Sequence, residues 1–217
     1  MVLSRFAGIA AIVTGGSLLL FVALYGLWGA NGLGQEASSD PVQLAAFAGR
    51  APVLYALVPL NGVVVHLAAL VVILALSLAI FATRPLLALL GGTLGVLWVF
   101  ADLVQNLMQY GAFLGYGRSE PAAAIAAVAH GLQDAGHLGG GLWVLSVVVA
   151  APFGQPHRLF GAITAATFAL HPFVVPIVPA WFYLEFVTLP LWFIWTGIAI
   201  WSGREVTPRS ALAPTPA

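Results

Sequence analysis

Six stretches of this chain run for about twenty residues or more with almost no charge, and that pattern leaves few folds open. A helix needs about 20 mostly apolar residues to cross the hydrocarbon core of a bilayer. The stretches cover about 6–28, 57–81, 85–114, 121–151, 158–178 and 181–201. Only 6% of the 217 residues are charged, against roughly 25% in a soluble domain, and 61% are hydrophobic. Such a chain cannot cover itself with a hydrated surface. The expectation is an all-α, polytopic transmembrane helix bundle of six spans, forming a single domain over residues 1–203. Its first partner is then the lipid bilayer, and its location the cell (inner or plasma) membrane.

The first apolar run exceeds the roughly 7–15 residues of a signal h-region, and no small-x-small cleavage site follows, so it reads as a retained helix. The polar connection from Asn31 to about Arg50 is the longest between spans. Residues 204–217, rich in proline, alanine and serine, read as a disordered cytoplasmic tail. Arginines set the orientation, because loops that stay in the cytoplasm hold the excess of basic residues. With the N-terminus inside, Arg5, Arg84, Arg158, Arg204 and Arg209 are cytoplasmic, and only Arg50 and Arg118 are outside. Both termini are therefore expected in the cytoplasm.

Missing residue types narrow the chemistry. The chain has no cysteine, which excludes disulfides, thiolate metal sites, iron–sulfur clusters and cysteine nucleophiles. All seven basic residues are arginines, so a lysine Schiff base is excluded as well. Zero net charge and scattered arginines argue against a nucleic-acid partner. Ser17, Ser77 and Ser146 match no nucleophile motif.

The informative stretch is "HGLQDAGH", His130 to His137, inside the fourth apolar run. Residues at i, i+3, i+4 and i+7 share one helix face, so His130, Gln133, Asp134 and His137 form one polar stripe. Asp102, Gln105, Asn106 and Gln109 repeat the offsets on the third run. The link "GYGRSEP" joins the two as an antiparallel hairpin. Equal counting from its tip sets Asn106 opposite His130, Asp102 opposite Asp134, and Gly95 opposite Gly141. Small residues at one depth let the helices approach below the polar groups. The expected site is a ligand- or proton-binding cluster of Asp102, Asn106, His130, Asp134 and His137, with His66, His171 and Glu185 as possible contributors. Pro172 and Pro190 are expected to free the Phe168 and Phe186 carbonyls as acceptors.

An aspartate at the centre of a span costs about 2.5–3.5 kcal/mol on insertion scales, which favours a function for Asp102 and Asp134. A histidine alongside supplies counter-charge and exchanges protons near neutral pH. The plain alternative is interhelical hydrogen bonding, worth about 0.6 kcal/mol on average, and it is preferred for Gln105, Gln109 and Gln133. His66, His171 and Glu185 stand alone on their helices and lean toward structural roles, and His157 reads as a boundary residue. Metal candidates are His130, Asp134 and His137, since Asp134-x-x-His137 has the carboxylate-x-x-histidine spacing of helical di-metal bundles. His130 and His137, however, lie about 10 Å apart along the axis. A haem between His66 and His130 or His171 is a second cofactor possibility, and no cofactor at all a third. Trp28, Trp181 and Trp201 read as interfacial belt residues. Trp98, Trp143, Trp192 and Trp195 read as packing.

The stretches "RPLLALLGGTLGVLW" and "EFVTLPLWFIWTGIAI" resemble a bacterial family of uncharacterised small six-helix integral membrane proteins. The resemblance implies a fold and no chemistry. Three function classes stay open: binding or moving a small solute or proton, an intramembrane metal- or haem-dependent enzyme, and a structural or accessory subunit. The substrate and the oligomeric state are open as well.

Overall fold

Prolines mark where the helices begin. Pro41, Pro52, Pro85 and Pro121 each open one, at the first helical position where the missing N–H is not needed. In the computed structural model, which describes residues 2–33, 41–113, 121–178 and 180–203, the elements are α1 (Val2–Ala30), α2 (Pro41–Arg50), α3 (Pro52–Phe81), α4 (Pro85–Phe113), α5 (Pro121–Ala150), α6 (Gln155–Ala169), α7 (His171–Val174) and α8 (Trp181–Ser202). The described residues hold no strand.

Six helices pack in chain order, and the order closes on itself: α1 on α3, α3 on α4, α4 on α5, α5 on α6, α6 on α8, and α8 back on α1. Neighbours run antiparallel. Trp28 reaches the Leu54 carbonyl near one end of the α1–α3 pair, while Asn61 reaches the Ser17 carbonyl further along. The closing contact between α1 and α8 is made by glycines. A Cβ on Gly8 would lie 3.0 Å from the Gly197 carbonyl oxygen, and one on Gly15 2.5 Å from that of Pro190.

Four helices are long and apolar enough to cross a membrane: Arg5–Ala30, Pro52–Phe81, Pro85–Met108 and Trp181–Ser202. Their outward faces are leucine, valine and phenylalanine, such as Leu20, Leu67, Leu78, Leu97, Phe100 and Leu191. α5 has the length, at 30 residues, but carries the polar octet. The expected unbroken span over 158–178 is not one helix. α6 stops after 15 residues, about 22 Å, and the chain turns at Leu170 before the one-turn α7. Pro172 contributes to the break, since it has no backbone N–H to give the Phe168 carbonyl, which accepts from Leu170 instead.

The expected polar loop up to Arg50 contains α2. Its Leu44, Phe47 and Ala48, spaced three and four apart, are buried, and Phe47 lies 5.7 Å from the Trp28 ring. Trp28 is 1% exposed and stacks flat on Tyr55, so it packs this end of the bundle rather than sitting in an interfacial belt. Trp201 remains on the surface. At the opposite end, Arg84 and Arg158 donate to the Val148 and Val149 carbonyls at the close of α5. Cations there complement the negative end of the helix dipole.

Between the ends the interior has two tiers. Trp143 stacks on Phe193 and meets Trp192 edge-on, and Trp98 stacks on Trp143. This aromatic tier fills the arginine-bearing half together with buried His157, Thr196 and Ser146, and His66, Asp102 and Asn106 lie in the other. The α1–α8 closure gives the first prediction. Gly15→Val forces a branched side chain onto backbone, and overpacking of this kind destabilises by about 1–3 kcal/mol. Gly16→Ala meets nothing within 4 Å. Thermal unfolding in detergent should show a clear loss for Gly15→Val and none for Gly16→Ala.

Candidate functional site

The third-helix stripe turns toward α3. Asp102 and Asn106 are each 6% exposed. The Asn106 amide donates to the Asp102 backbone carbonyl at 2.7 Å and occupies the space where a Cβ on Gly62 would be. Two donors meet at one carboxylate oxygen: Trp98 Nε1, one turn earlier on α4, lies 2.7 Å from Asp102 Oδ2, and His66 Nε2 of α3 lies 3.0 Å from it. His66 Nδ1 is 2.6 Å from the Gly62 carbonyl.

Counting protons defines the pair. A carbonyl only accepts, so His66 Nδ1 carries a hydrogen. The indole supplies its own hydrogen to Oδ2. One proton remains for the line between Nε2 and Oδ2. The pair is then either imidazolium with carboxylate or imidazole with carboxylic acid, net neutral in both, and the two forms differ by moving one proton across 3.0 Å. Neutrality is what a low-dielectric interior requires. Asp102 Oδ1 is buried and has no hydrogen-bond partner among the described residues.

A second cluster joins three other elements. His137 of α5, His171 at the start of α7 and Glu185 of α8 are all more than nine-tenths buried. Glu185 Oε2 lies 2.5 Å from His171 Nδ1 and 3.7 Å from His137 Nδ1. The imidazole rings sit edge to face, 4.3 Å apart. The turn at Leu170, to which Pro172 contributes, brings His171 beside Glu185.

One cavity of about 60 Å³ connects the clusters. His66, Asp102 and Asn106 line it on one side and His137 and Glu185 on another, with Leu18, Phe21 and Phe168 among its apolar walls. A water needs roughly 10–15 Å³, so the space accommodates about four.

The facing-stripe expectation is corrected in register. Gln105 Nε2 donates to Gln133 Oε1 at 2.6 Å, whereas equal counting sets Gln105 opposite Gly131. The offset is two residues, about 3 Å along the axis. Gly136, not Asp134, therefore lies against Asp102, and Asp134 is exposed. Gly95 lies against Trp143 and Gly141 against Ala169 of α6, so those two glycines do not meet. Asn106 faces Gly62 and His66, and the side chains of His130, its expected partner, and of Gln109 lie outside the described residues. Of the metal set, His137 enters a cluster with His171 and Glu185, Asp134 does not, and the side chain of His130 lies outside the described residues.

His66, with both nitrogens committed, has no lone pair for a haem iron. His157, in the first turn of α6, is fully buried, 3.0 Å from the Thr196 hydroxyl. Sequence reasoning missed Trp98 as a donor to Asp102, although its position four residues earlier on the same stripe is the signal that would have found it. Comparison with protein-family models, curated proteins and solved structures finds nothing that matches this chain.

The indole–carboxylate bond can be isolated by a matched pair of variants. Trp98→Phe and Trp192→Phe remove the same volume from fully buried sites, but Trp192 Nε1 has no hydrogen-bond partner among the described residues. Trp98→Phe should be the more destabilising by about 1.5–3 kcal/mol, the range for hydrogen bonds to charged groups. Equilibrium unfolding of both variants in one detergent measures the difference.

Proposed function

We propose that this chain is a multi-pass protein of the inner or plasma membrane that binds a small polar solute in its cavity and moves protons through the His66–Asp102 pair. Four helices of spanning length and an apolar exterior support the membrane placement. Six crossings, with α5 and the broken α6–α7 unit as the fourth and fifth, are the reading that the closed order of packing supports. Arg84 and Arg158 share one end with the start of α1, which favours a cytoplasmic N-terminus and, with six crossings, a cytoplasmic C-terminus. On that reading the cavity belongs to the outer half of the bilayer.

The observation that carries the function is the unpartnered Oδ1 of Asp102 at a water-sized cavity. Oδ2 is held by Trp98 and His66, so the carboxylate is fixed in place, and its other oxygen is left to whatever enters. A proton delivered from the cavity to Oδ1 leaves the shared proton on His66 Nε2 and the pair with one positive charge, and return of the Oδ1 proton to a base in the cavity restores neutrality. An intramembrane aspartate and histidine in contact are the groups that proton relays use. A scaffold needs neither the cavity nor the orphan oxygen.

Proteoliposomes with an internal pH-sensitive dye test this reading. The wild-type protein should collapse an imposed pH gradient faster than empty vesicles. Asp102→Asn keeps the shape but not the exchangeable proton, and should slow the collapse by about a hundredfold, the low end of what a positioned proton-transfer group contributes. Equal rates for wild type and Asp102→Asn overturn the reading.

A further inference from the structure

Folding alone leaves the second cluster unexplained. His137 Nδ1, His171 Nδ1 and Glu185 Oε2 are buried, within 4.8 Å of one another, and none has an aligned hydrogen bond among the described residues. His171 and Glu185 are in charge contact at 2.5 Å, yet the angles are not those of a donor aimed at an acceptor. Each orphaned buried polar atom costs about 1–3 kcal/mol. Three of them converging on one point, from three separate elements, call for something that accepts all three lone pairs together.

We propose that His137, His171 and Glu185 bind one divalent first-row transition-metal ion, of which Zn²⁺ is the type case. Two neutral imidazoles and a carboxylate are a donor set for that class of cation. Mg²⁺ and Ca²⁺ prefer all-oxygen ligation. Bonds of about 2.0–2.1 Å in tetrahedral array place donor atoms about 3.3 Å apart. The observed 2.5 and 3.7 Å separations bracket that value, so binding needs only a small opening of the His171–Glu185 contact. Three protein ligands leave a fourth position. His137 and Glu185 both line the cavity, which puts that position within reach of a water or solute there.

This site shares no ligand with the His66–Asp102 pair and does not depend on the proton reading. It also replaces the Asp134-x-x-His137 spacing as the basis for metal binding, since Asp134 is exposed and outside the cluster.

The experiment uses the full chain in detergent, stripped with a chelator and titrated with Co²⁺ as a spectroscopic probe, then with Zn²⁺ in competition. The expected result is a visible ligand-field spectrum that saturates at one Co²⁺ per chain and is abolished by one equivalent of Zn²⁺. Glu185→Gln and His171→Asn should weaken Co²⁺ binding by more than the roughly 10–100-fold typical of losing an outer partner. Asp134→Asn should bind as wild type does. X-ray absorption of the Zn²⁺-loaded wild type, which needs no variant to fold, should show two imidazoles among nitrogen and oxygen ligands. Absence of a saturable Co²⁺ spectrum overturns the proposal. So does loss of binding in Asp134→Asn with retention in folded Glu185→Gln, or a Zn²⁺ shell lacking imidazole. None of these outcomes bears on the gradient assay with Asp102→Asn, so the two ideas fail separately.

Discussion

Hydrocarbon supplies no hydrogen bonds, and that constraint orders this molecule. Every polar atom along a spanning helix must find its partner inside the bundle or remain a liability of several kcal/mol. Asp102 meets the requirement by gathering the Trp98 indole, the His66 imidazole and, through its backbone carbonyl, the Asn106 amide. The indole and amide bonds run within α4, and the His66 bond ties α3 to α4 at that depth. The same demand explains why His66, Asp102 and Asn106 lie at one depth, where partners can reach each other.

Close approach is the second requirement, and small residues meet it. Gly62 makes room for the Asn106 amide, and Gly136 lets α5 lie against Asp102. Gly140 accepts the faces of Trp98 and Phe168, which separate the aromatic tier from the cavity. The prolines act differently. Pro172 contributes to the break between α6 and α7, and what looks like a defect in a spanning helix sets His171 beside Glu185. Packing, polar pairing and helix breaking thus converge on a single space lined by both clusters.

The two histidine–carboxylate clusters differ in how complete they are. His66 and Asp102 are saturated except for one carboxylate oxygen, which suits a group that holds and passes a proton. His137, His171 and Glu185 are close but unaligned, which suits a group that waits for a cation. Their common cavity means that a molecule between them would contact His66 and Asp102 on one side and His137 and Glu185 on the other.

Length and hydropathy make the membrane-spanning class legible in the residues alone, because about 20 uncharged residues have few other uses. The 3.6-residue period likewise assigns Asp102, Gln105 and Asn106 to one face before any coordinates are seen. Other features depend on three dimensions. Equal counting from the α4–α5 link misplaces Asp134, since the pairing is offset by two residues and it is Gly136 and Gly140 that seat against Ala101 and Trp98, leaving Asp134 exposed. α2 hides in a polar loop because three buried residues are a weak periodic signal. His66, His171 and Glu185 each look solitary along the chain, and only the closed order of the helices brings His66 to Asp102 and His171 to Glu185. Periodicity along one chain fixes which residues share a face, but the packing of that face against its neighbours decides what each residue meets.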